Sequence, residues 1–415
     1  MNAYARATMD PTQDTPPPPE PGAFAPPPPD PGVLAASDEA MLAAAAGAAR
    51  AERQRAAAAV GGAMHRGLVR WTLLVVVGSL AALGLRHSDA ALFFAIAAMF
   101  ALTQSWDVRE RACTGDPVAD SALEPGGVGT LLRAVVPLVV PFAGAAVFAG
   151  LGLFARTLPH SLAHIAAMQW CIAAAVVCLF IAFPPAAQLL ARAFMRGPRP
   201  GHTDRLTASL ALVLLLIPVP FQLLSDDLMG IVKNSGRPIA DVGSLVGQLL
   251  GEVVFALSAV GLWVGRDLRA VRARLGLGGM RVRHVAIAAV GLAAVSGLNA
   301  GMEWIERTQY HALWLRDQDT VKLIAGDISV AAALVLGVSA GVGEELMVRG
   351  ALQPRVGLVW ASLLFAAGHV QYTWFGMLTI VLLGVTLGTI RKTANTTTAV
   401  IVHVLYDILA ALGSR

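Results

Sequence analysis

The chain has 415 residues, of which 56% are hydrophobic and only 14% are charged. Soluble domains usually contain roughly 25% charged residues, so this composition excludes an ordinary water-soluble protein and indicates a membrane protein. The formal net charge of +4 comes mostly from short loops between apolar segments. That distribution is typical of positively charged cytoplasmic loops and argues against nucleic-acid binding.

The N-terminal segment differs in composition from the rest of the chain. Residues 1–33 are dominated by proline, with runs at 16–19 and 26–29, and we predict that they are disordered. Residues 34–63 are rich in alanine with interspersed glutamate and arginine, which favours a helix too polar to span a membrane. Together they form a predicted cytoplasmic tail over 1–66, in which no secretory signal peptide fits.

Apolar segments alternate with short polar loops from residue 71 onward. We predict about eleven membrane spans, several of them shorter than the roughly 20 residues that a spanning helix usually needs. The predicted fold class is therefore all-α, a polytopic transmembrane helical bundle with a disordered Pro-rich N-terminal tail. The predicted spans lie near residues 71–85, 90–106, 134–155, 165–185, 207–224, 244–264, 284–300, 328–341, 357–370, 374–390 and 397–412.

The basic residues test this count, because cytoplasmic loops of membrane proteins collect lysine and arginine. Three basic clusters, at 192–205, 266–283 and 391–392, are separated by even numbers of predicted spans. All three therefore lie on one face, which we predict to be cytoplasmic together with the tail. The acidic segment 302–327 and the C-terminus are then predicted to lie outside. Losing one span would break this agreement.

Ionisable residues inside a membrane cost at least roughly 2.5 kcal/mol near the helix centre, so each one needs a partner or a function. The sequence GVGEELMVRGALQ places Glu344, Glu345 and Arg349 directly after an apolar segment. Glu345 and Arg349 are four residues apart and can pair on one helical face. Glu344 is displaced by about 100° around the helix. We interpret the pair as a scaffold and Glu344 as the working carboxylate.

Two further motifs in the last third of the chain each contain a histidine. In FAAGH, Phe365 and His369 share a helical face, where the ring can wall the site against water. In HVLYD, His403 and Asp407 share a face. A carboxylate and an imidazole can hold and deprotonate a water, and a second imidazole can stabilise the oxyanion formed when that water attacks a carbonyl. This is the chemistry of amide hydrolysis.

The same side chains also fit metal chemistry. Glu344, His369 and His403 are candidate ligands of a divalent metal such as zinc, which would lower the pKa of a bound water. The residues alone do not decide between the two mechanisms. The candidate site contains six residues: Glu344, Glu345, Arg349, His369, His403 and Asp407.

Other polar residues receive structural interpretations. We predict a packing or interface role for Glu252, within an apolar segment, and a solvated loop for Asp226 and Asp227. The cysteines have no metal-ligand spacing, so neither a disulfide framework nor a zinc finger is predicted. They are Cys113, Cys171 and Cys178.

The three motifs resemble those of the CPBP intramembrane proteases, which include the type II CAAX prenyl endopeptidases and bacterial Abi proteins. The pattern of that family is EExxxR, then FxxxH, then HxxxN or HxxxD. The chain has EELMVR at 344–349, FAAGH at 365–369 and HVLYD at 403–407. The resemblance implies a CPBP-like catalytic membrane domain over 284–415, preceded by a separate N-terminal transmembrane region over 67–283.

The resemblance also implies roles for the site residues. Glu344 and His369 would activate the attacking water, and His403 with Asp407 would form the oxyanion-stabilising pair. The third motif ends in aspartate instead of the asparagine of the eukaryotic enzymes, and an ionised carboxylate cannot donate to an oxyanion. Asp407 would then be protonated, orient His403, or help to bind a metal.

The predicted function is that of an intramembrane endopeptidase, either metal-dependent or glutamate-dependent, acting on a membrane-associated or CAAX-like peptide. Its predicted partners are a peptide or membrane-protein substrate and the lipid bilayer, without nucleic acid. The Ala-, Arg- and Pro-rich composition suggests a bacterium of high genomic GC content, and the predicted location is a bacterial inner membrane, with a multi-pass topology. Two alternatives remain: a transporter or channel, favoured by the many spans and Glu252, and a non-catalytic immunity or scaffold protein that binds a partner through its tail.

Overall fold

The computed structural model describes most of the chain, and the regular elements of the described part are helices. No strand is formed within these residues, which confirms the all-α fold class. The described residues are 31–85, 88–113, 120, 123, 126–197, 199–234, 241–325 and 329–413.

The helices follow one another with short connections. In chain order they are α1 (Pro31–Gly84), α2 (Ser88–Ala112), α3 (Gly127–Thr157), α4 (Leu162–Ile181), α5 (Pro184–Phe194), α6 (His202–Leu216), α7 (Pro218–Leu223), α8 (Ser225–Asn234), α9 (Val242–Ala259), α10 (Leu268–Leu275), α11 (Val282–Gln309), α12 (His311–Ala325), α13 (Val330–Glu344), the π-helix π1 (Glu345–Leu352), α14 (Gln353–Val356), α15 (Leu358–Ala367), α16 (Trp374–Thr393) and α17 (Thr396–Gly413).

The chain divides into two compact units. The first ends at Arg53, and the second begins at Gln54 and contains the sites described below. The three regions predicted from the sequence, 1–66, 67–283 and 284–415, stay a prediction.

The described part of the predicted tail is helical. Residues 31–66 belong to α1, because the Ala-rich sequence favours a helix and runs without a break into the apolar segment that follows. The helix predicted over 34–63 is therefore present. Residues 1–30, which contain the proline runs, lie outside the described residues.

Ten of the described helices are long and apolar enough to cross a membrane, which confirms a multi-pass membrane protein. The first candidate span is Glu39–Gly84, much longer than predicted because the Ala-rich helix continues into it. The segment predicted near 357–370 contains only a short apolar helix, Leu358–Ala367.

The short helix α15 nevertheless carries the chain from one end of the bundle to the other. Before it, the N–H of Arg196 donates to the carbonyl of Arg355 at 2.8 Å. After it, the N–H of Thr373 donates to the carboxylate of Asp317 at 2.7 Å. Three candidate spans separate the connection that contains Arg196 from the one that contains Asp317. Because three is an odd number, the two connections lie at opposite ends of the bundle.

An eleventh crossing is thus made by α15 together with the non-helical residues 368–373. The even spacing of the basic loops is kept, although the crossing is not a complete helix. Non-helical backbone at membrane depth is tolerated where it is buried in protein or lines a polar cavity. The break in this crossing falls at His369.

Two glycines bring α13 and α17 into close contact. A Cβ built on Gly341 would lie 2.6 Å from the backbone nitrogen of Val404, and one built on Gly337 would lie 2.9 Å from the carbonyl oxygen of Val404. Small residues permit this approach of two backbones within a membrane. Glu344 and His403, each next to this contact in the sequence, are thereby brought together.

Alanine at position 341 tests this packing. The Cβ of Gly341→Ala would overlap the backbone of α17, so we expect a thermal unfolding midpoint several degrees lower for the purified protein in detergent. Gly301→Ala is the matched control, because nothing lies within 4 Å of a Cβ there and alanine favours a helix over glycine by about 1 kcal/mol. Equal midpoints for the two variants would contradict the close approach.

Candidate active site

Glu344 lies between two imidazole rings. Its Oε1 is 4.0 Å from Nε2 of His369, and its Oε2 is 3.9 Å from Nε2 of His403. Both distances are too long for a direct hydrogen bond, and a separation of about 4 Å leaves room for one water bonded to both atoms. The Glu344 side chain is 12% exposed and that of His369 is 22% exposed. The carboxylate is therefore shielded but reachable.

His369 is oriented by the end of α15. Its Nδ1 lies 2.8 Å from the carbonyl oxygen of Phe365. A carbonyl only accepts, so this contact assigns the proton to Nδ1 and leaves a lone pair on Nε2, the nitrogen that faces Glu344. A neutral imidazole held in this way can accept a hydrogen bond or a proton from a water.

His403 has a carboxylate beside each ring nitrogen. Its Nδ1 lies 3.2 Å from Oε1 of Glu345, and its Nε2 lies 3.4 Å from Oδ2 of Asp407. The ring is buried, with 8% of the side chain exposed. These contacts fix the ring plane and aim Nε2 into the space beside Glu344.

The pair formed by Glu345 and Arg349 is completely buried. Nε of Arg349 lies 3.3 Å from Oε2 of Glu345, and both side chains are 0% exposed. The contact is an ion pair without hydrogen-bond alignment, and the guanidinium N–H groups have no hydrogen-bond partner among the described residues. The sequence predicts this scaffold pair correctly, but it gives no sign that the second oxygen of Glu345 reaches His403.

The first motif also adopts an unusual helix. Residues Glu345–Leu352 form the π-helix π1, which directly continues α13. Turns of this kind are rare overall, but those that occur are often found at functional sites. The wider helix changes the direction in which its side chains point. Nothing in the spacing of the motif indicates this feature.

Phe365 lies at the centre of the site. Its ring centroid is 4.9 Å from that of His369 and 5.9 Å from that of His403, both edge-on. The guanidinium carbon of Arg349 lies 4.9 Å from the same centroid, within range of a cation–π interaction. The predicted aromatic wall is therefore present, and it also shields the cation.

The site opens into a cavity with a volume of about 700 Å³. The cavity wall contains both apolar and polar side chains, and α11 and α12 contribute Glu303, Glu306 and Asp317 to it. Thr373 donates to Asp317 at 2.8 Å, and burial raises the pKa of the Asp317 carboxyl. The active-site cavity thus extends from the two histidines to an acidic end of the bundle.

Glu252 of α9 is the residue near the site that sequence reasoning underrated. A Cβ on Gly343 would overlap its Oε2, which places this buried carboxyl beside the first motif. Gln248 donates to its Oε1 at 3.0 Å, while Oε2 has no hydrogen-bond partner among the described residues. The sequence signal for this residue was a lone carboxylate within an apolar helix. Its contact with the first motif distinguishes it from a residue that only packs between helices.

The side chains around Glu344 lie somewhat farther apart than the ligands of one zinc ion. No group of three or more His, Cys, Asp or Glu residues in the described part of the chain could hold a metal ion. Ligand atoms on a tetrahedral zinc lie about 3.3 Å apart, since each is roughly 2.0–2.1 Å from the metal. The separations of 4.0 and 3.9 Å at Glu344 are wider and suit a water better.

The structure changes the interpretation of Asp226 and Asp227 but not that of the cysteines. Asp226 and Asp227 lie in the helix α8, not in a loop. The side chain of Asp226 is 91% exposed and pairs with Arg316 at 3.3 Å, while Asp227 pairs with His164 at 3.0 Å. All three cysteines are free, and the two in α4 are buried.

Residues 327–409 match the family model described as type II CAAX prenyl endopeptidase Rce1-like. This part of the chain resembles the CPBP family, and we call it the CPBP segment. The uncharacterized protein YpbD of Bacillus subtilis (strain 168) is 28% identical over 171 residues, which cover 40% of this chain and 86% of YpbD. No solved structure matches. All six candidate residues lie within the CPBP segment.

Comparison of a single variant with a double variant tests the buried ion pair. Arg349→Met leaves the buried carboxylate of Glu345 without its cation, and breaking such a pair costs about 3–5 kcal/mol. We expect a strong fall in the unfolding midpoint of the single variant and a smaller fall for Glu345→Gln combined with Arg349→Met. The measurement is thermal unfolding in detergent. A double variant that is less stable than the single one would refute the pairing.

Proposed function

We propose that the chain is an intramembrane endopeptidase in which a water held between Glu344 and His369 attacks a peptide carbonyl. The observation that carries this proposal is the placement of Glu344 about 4 Å from two imidazoles at the wall of a large cavity. The CPBP segment supports protease activity in general. The sites and the mechanism below are our own assignment.

Water activation is the first step. The carboxylate of Glu344 takes a proton from the water, while Nε2 of His369 accepts a hydrogen bond from the same molecule and orients it. Because Nδ1 of His369 is engaged with the carbonyl of Phe365, the ring presents a fixed acceptor. General base catalysis of this kind typically contributes 10²–10⁴-fold to the rate.

We assign the stabilisation of the oxyanion to His403. A ring that donates from Nδ1 to Glu345 and from Nε2 toward the cavity is an imidazolium, which supplies a positive charge and a donor where the carbonyl oxygen becomes negative. The carboxylate of Asp407, whose Oδ2 lies 3.4 Å from Nε2, stabilises the positive charge of the ring and orients it. Of the three roles open to Asp407, we assign it this one.

The bond changes then balance without a further reactant. The water oxygen bonds to the carbonyl carbon and its proton passes to Glu344. Collapse of the tetrahedral intermediate breaks the carbon–nitrogen bond, and the proton on Glu344 moves to the leaving amine. One water is consumed, and the products are a carboxylic acid and an amine, between which the remaining proton passes to give a carboxylate and an ammonium group.

The shape and chemistry of the active-site cavity favour a peptide that enters from the membrane. Its apolar walls accommodate a lipid-attached or hydrophobic segment, and its acidic end attracts a basic or N-terminal group of the substrate. A membrane-associated or CAAX-like peptide fits both features. Multi-pass insertion in a bacterial inner membrane is the location that we propose.

Removal of the general base tests the catalytic proposal. We expect Glu344→Gln and His369→Ala to lower cleavage of a quenched-fluorescence peptide library by at least about 10²-fold, measured with folded protein in proteoliposomes. Glu52→Gln, at an exposed position of α1, is the matched control and keeps full activity. Full activity of Glu344→Gln would instead favour a transporter or a non-catalytic scaffold.

Chelation tests the choice between a water activated by side chains and a water activated by a metal. We expect cleavage to survive dialysis against 1,10-phenanthroline, because the spacing around Glu344 fits a water and not a metal ion. The metal content of the active protein is measured in parallel. Loss of activity that zinc restores, with about one zinc per chain, would assign Glu344, His369 and His403 as ligands.

A further inference from the structure

A second cavity, with a volume of about 270 Å³, lies at the end of the bundle that carries the basic loops. It shares no lining residue with the active-site cavity. Its wall contains five arginines and two aspartates, an excess of three positive charges. These residues are Arg111, Arg196, Arg266, Arg274, Arg355, Asp107 and Asp204.

Both aspartates are already engaged. The oxygens of Asp107 accept the backbone N–H groups of His202 and Thr203 at 2.7 and 3.1 Å, at the first turn of α6. Asp204 accepts from Nη1 of Arg355 at 2.7 Å. Only one of the five arginines is therefore paired with an aspartate of the cavity wall.

Arg266 and Arg274 meet neutral groups instead of carboxylates. Nη1 of Arg274 donates to the carbonyl of Gly350 at 3.1 Å, and Nη1 of Arg266 donates to the carbonyl of Val260. Burial, followed by the neighbouring guanidinium groups of Arg355 and Arg266, lowers the pKa of Arg274 to about 10. Both side chains stay charged at neutral pH and repel one another across the cavity.

The backbone brings a further guanidinium into this arrangement. Gly357 has a φ of 92°, and a Cβ there would overlap the guanidinium group of Arg196. The glycine thus lets Arg196 lie directly over the turn that follows α14. Arginines on four separate stretches of chain, the end of α2, the segment after α5, the region of α10, and α14, converge on one small cavity.

We propose that this arginine cavity binds a phosphate group, supplied by an anionic lipid headgroup or by free phosphate. Guanidinium groups bind phosphate through paired N–H donors, and basic pockets between transmembrane helices on the cytoplasmic side suit lipid headgroups. A bound phosphate offsets the excess positive charge of the cavity wall. It also links Arg274 and Arg355 to the neighbouring stretches of chain that line the same cavity. The volume admits one such group and no large molecule.

Thermal unfolding of the full-length protein tests this site. The protein is purified in neutral detergent without phosphate, and the probes are inorganic phosphate, phosphatidylglycerol and, as the neutral lipid, phosphatidylcholine, all at matched ionic strength. We expect phosphatidylglycerol or phosphate to raise the unfolding midpoint by about 4 °C or more. A response to phosphatidylglycerol alone identifies a headgroup, and a response to phosphate identifies the free ion.

Variants distinguish binding of phosphate in the arginine cavity from a general effect of positive charge on the protein. Arg266→Gln combined with Arg274→Gln is expected to remove the response, whereas Arg272→Gln, an exposed arginine of the same helix α10, keeps it. If the double variant does not fold, Arg196→Gln at an exposed position is expected to weaken the apparent affinity about tenfold. The proposal is overturned if neither probe shifts the midpoint, or if the cavity variants respond as strongly as Arg272→Gln.

Discussion

The buried carboxylate of Glu345 is the group on which the candidate active site depends. One of its oxygens faces the guanidinium of Arg349 and the other faces Nδ1 of His403. A fully buried carboxylate is stable only with such partners, so the first motif and α17 must keep their relative position. That constraint sets the direction of the imidazole, and with it the space beside Glu344 where a water fits. Phe365 closes the same cluster from α15.

The packing of the helices brings these groups together in one site. Gly337 and Gly341 let α13 and α17 approach until the two charged motifs meet, and π1 begins directly after Glu344. The incomplete crossing at α15 leaves His369 beyond a helix end, where it lines the active-site cavity. The arrangement places costly polar groups only where other protein groups or water satisfy them.

Several parts of this picture follow from the sequence. The all-α membrane fold, the even spacing of the basic loops and the proximity of the motifs come from hydropathy and from helical spacing. Four features do not, for physical reasons. The contact of Glu345 with His403 joins residues 58 positions apart, and no local period encodes it. The π-helix and the shortness of α15 arise from packing, and the position of Glu252 beside the first motif depends on its contact with Gly343.

The central claim is that a water, and no side-chain nucleophile, attacks the peptide carbonyl. Single-turnover cleavage in water labelled with oxygen-18, combined with intact-mass measurement of the rapidly quenched protein, tests it most directly. The account predicts one solvent oxygen in the new carboxyl terminus of the product and no covalent adduct between peptide and protein at any time. An acyl adduct that forms and decays at the rate of turnover would contradict it.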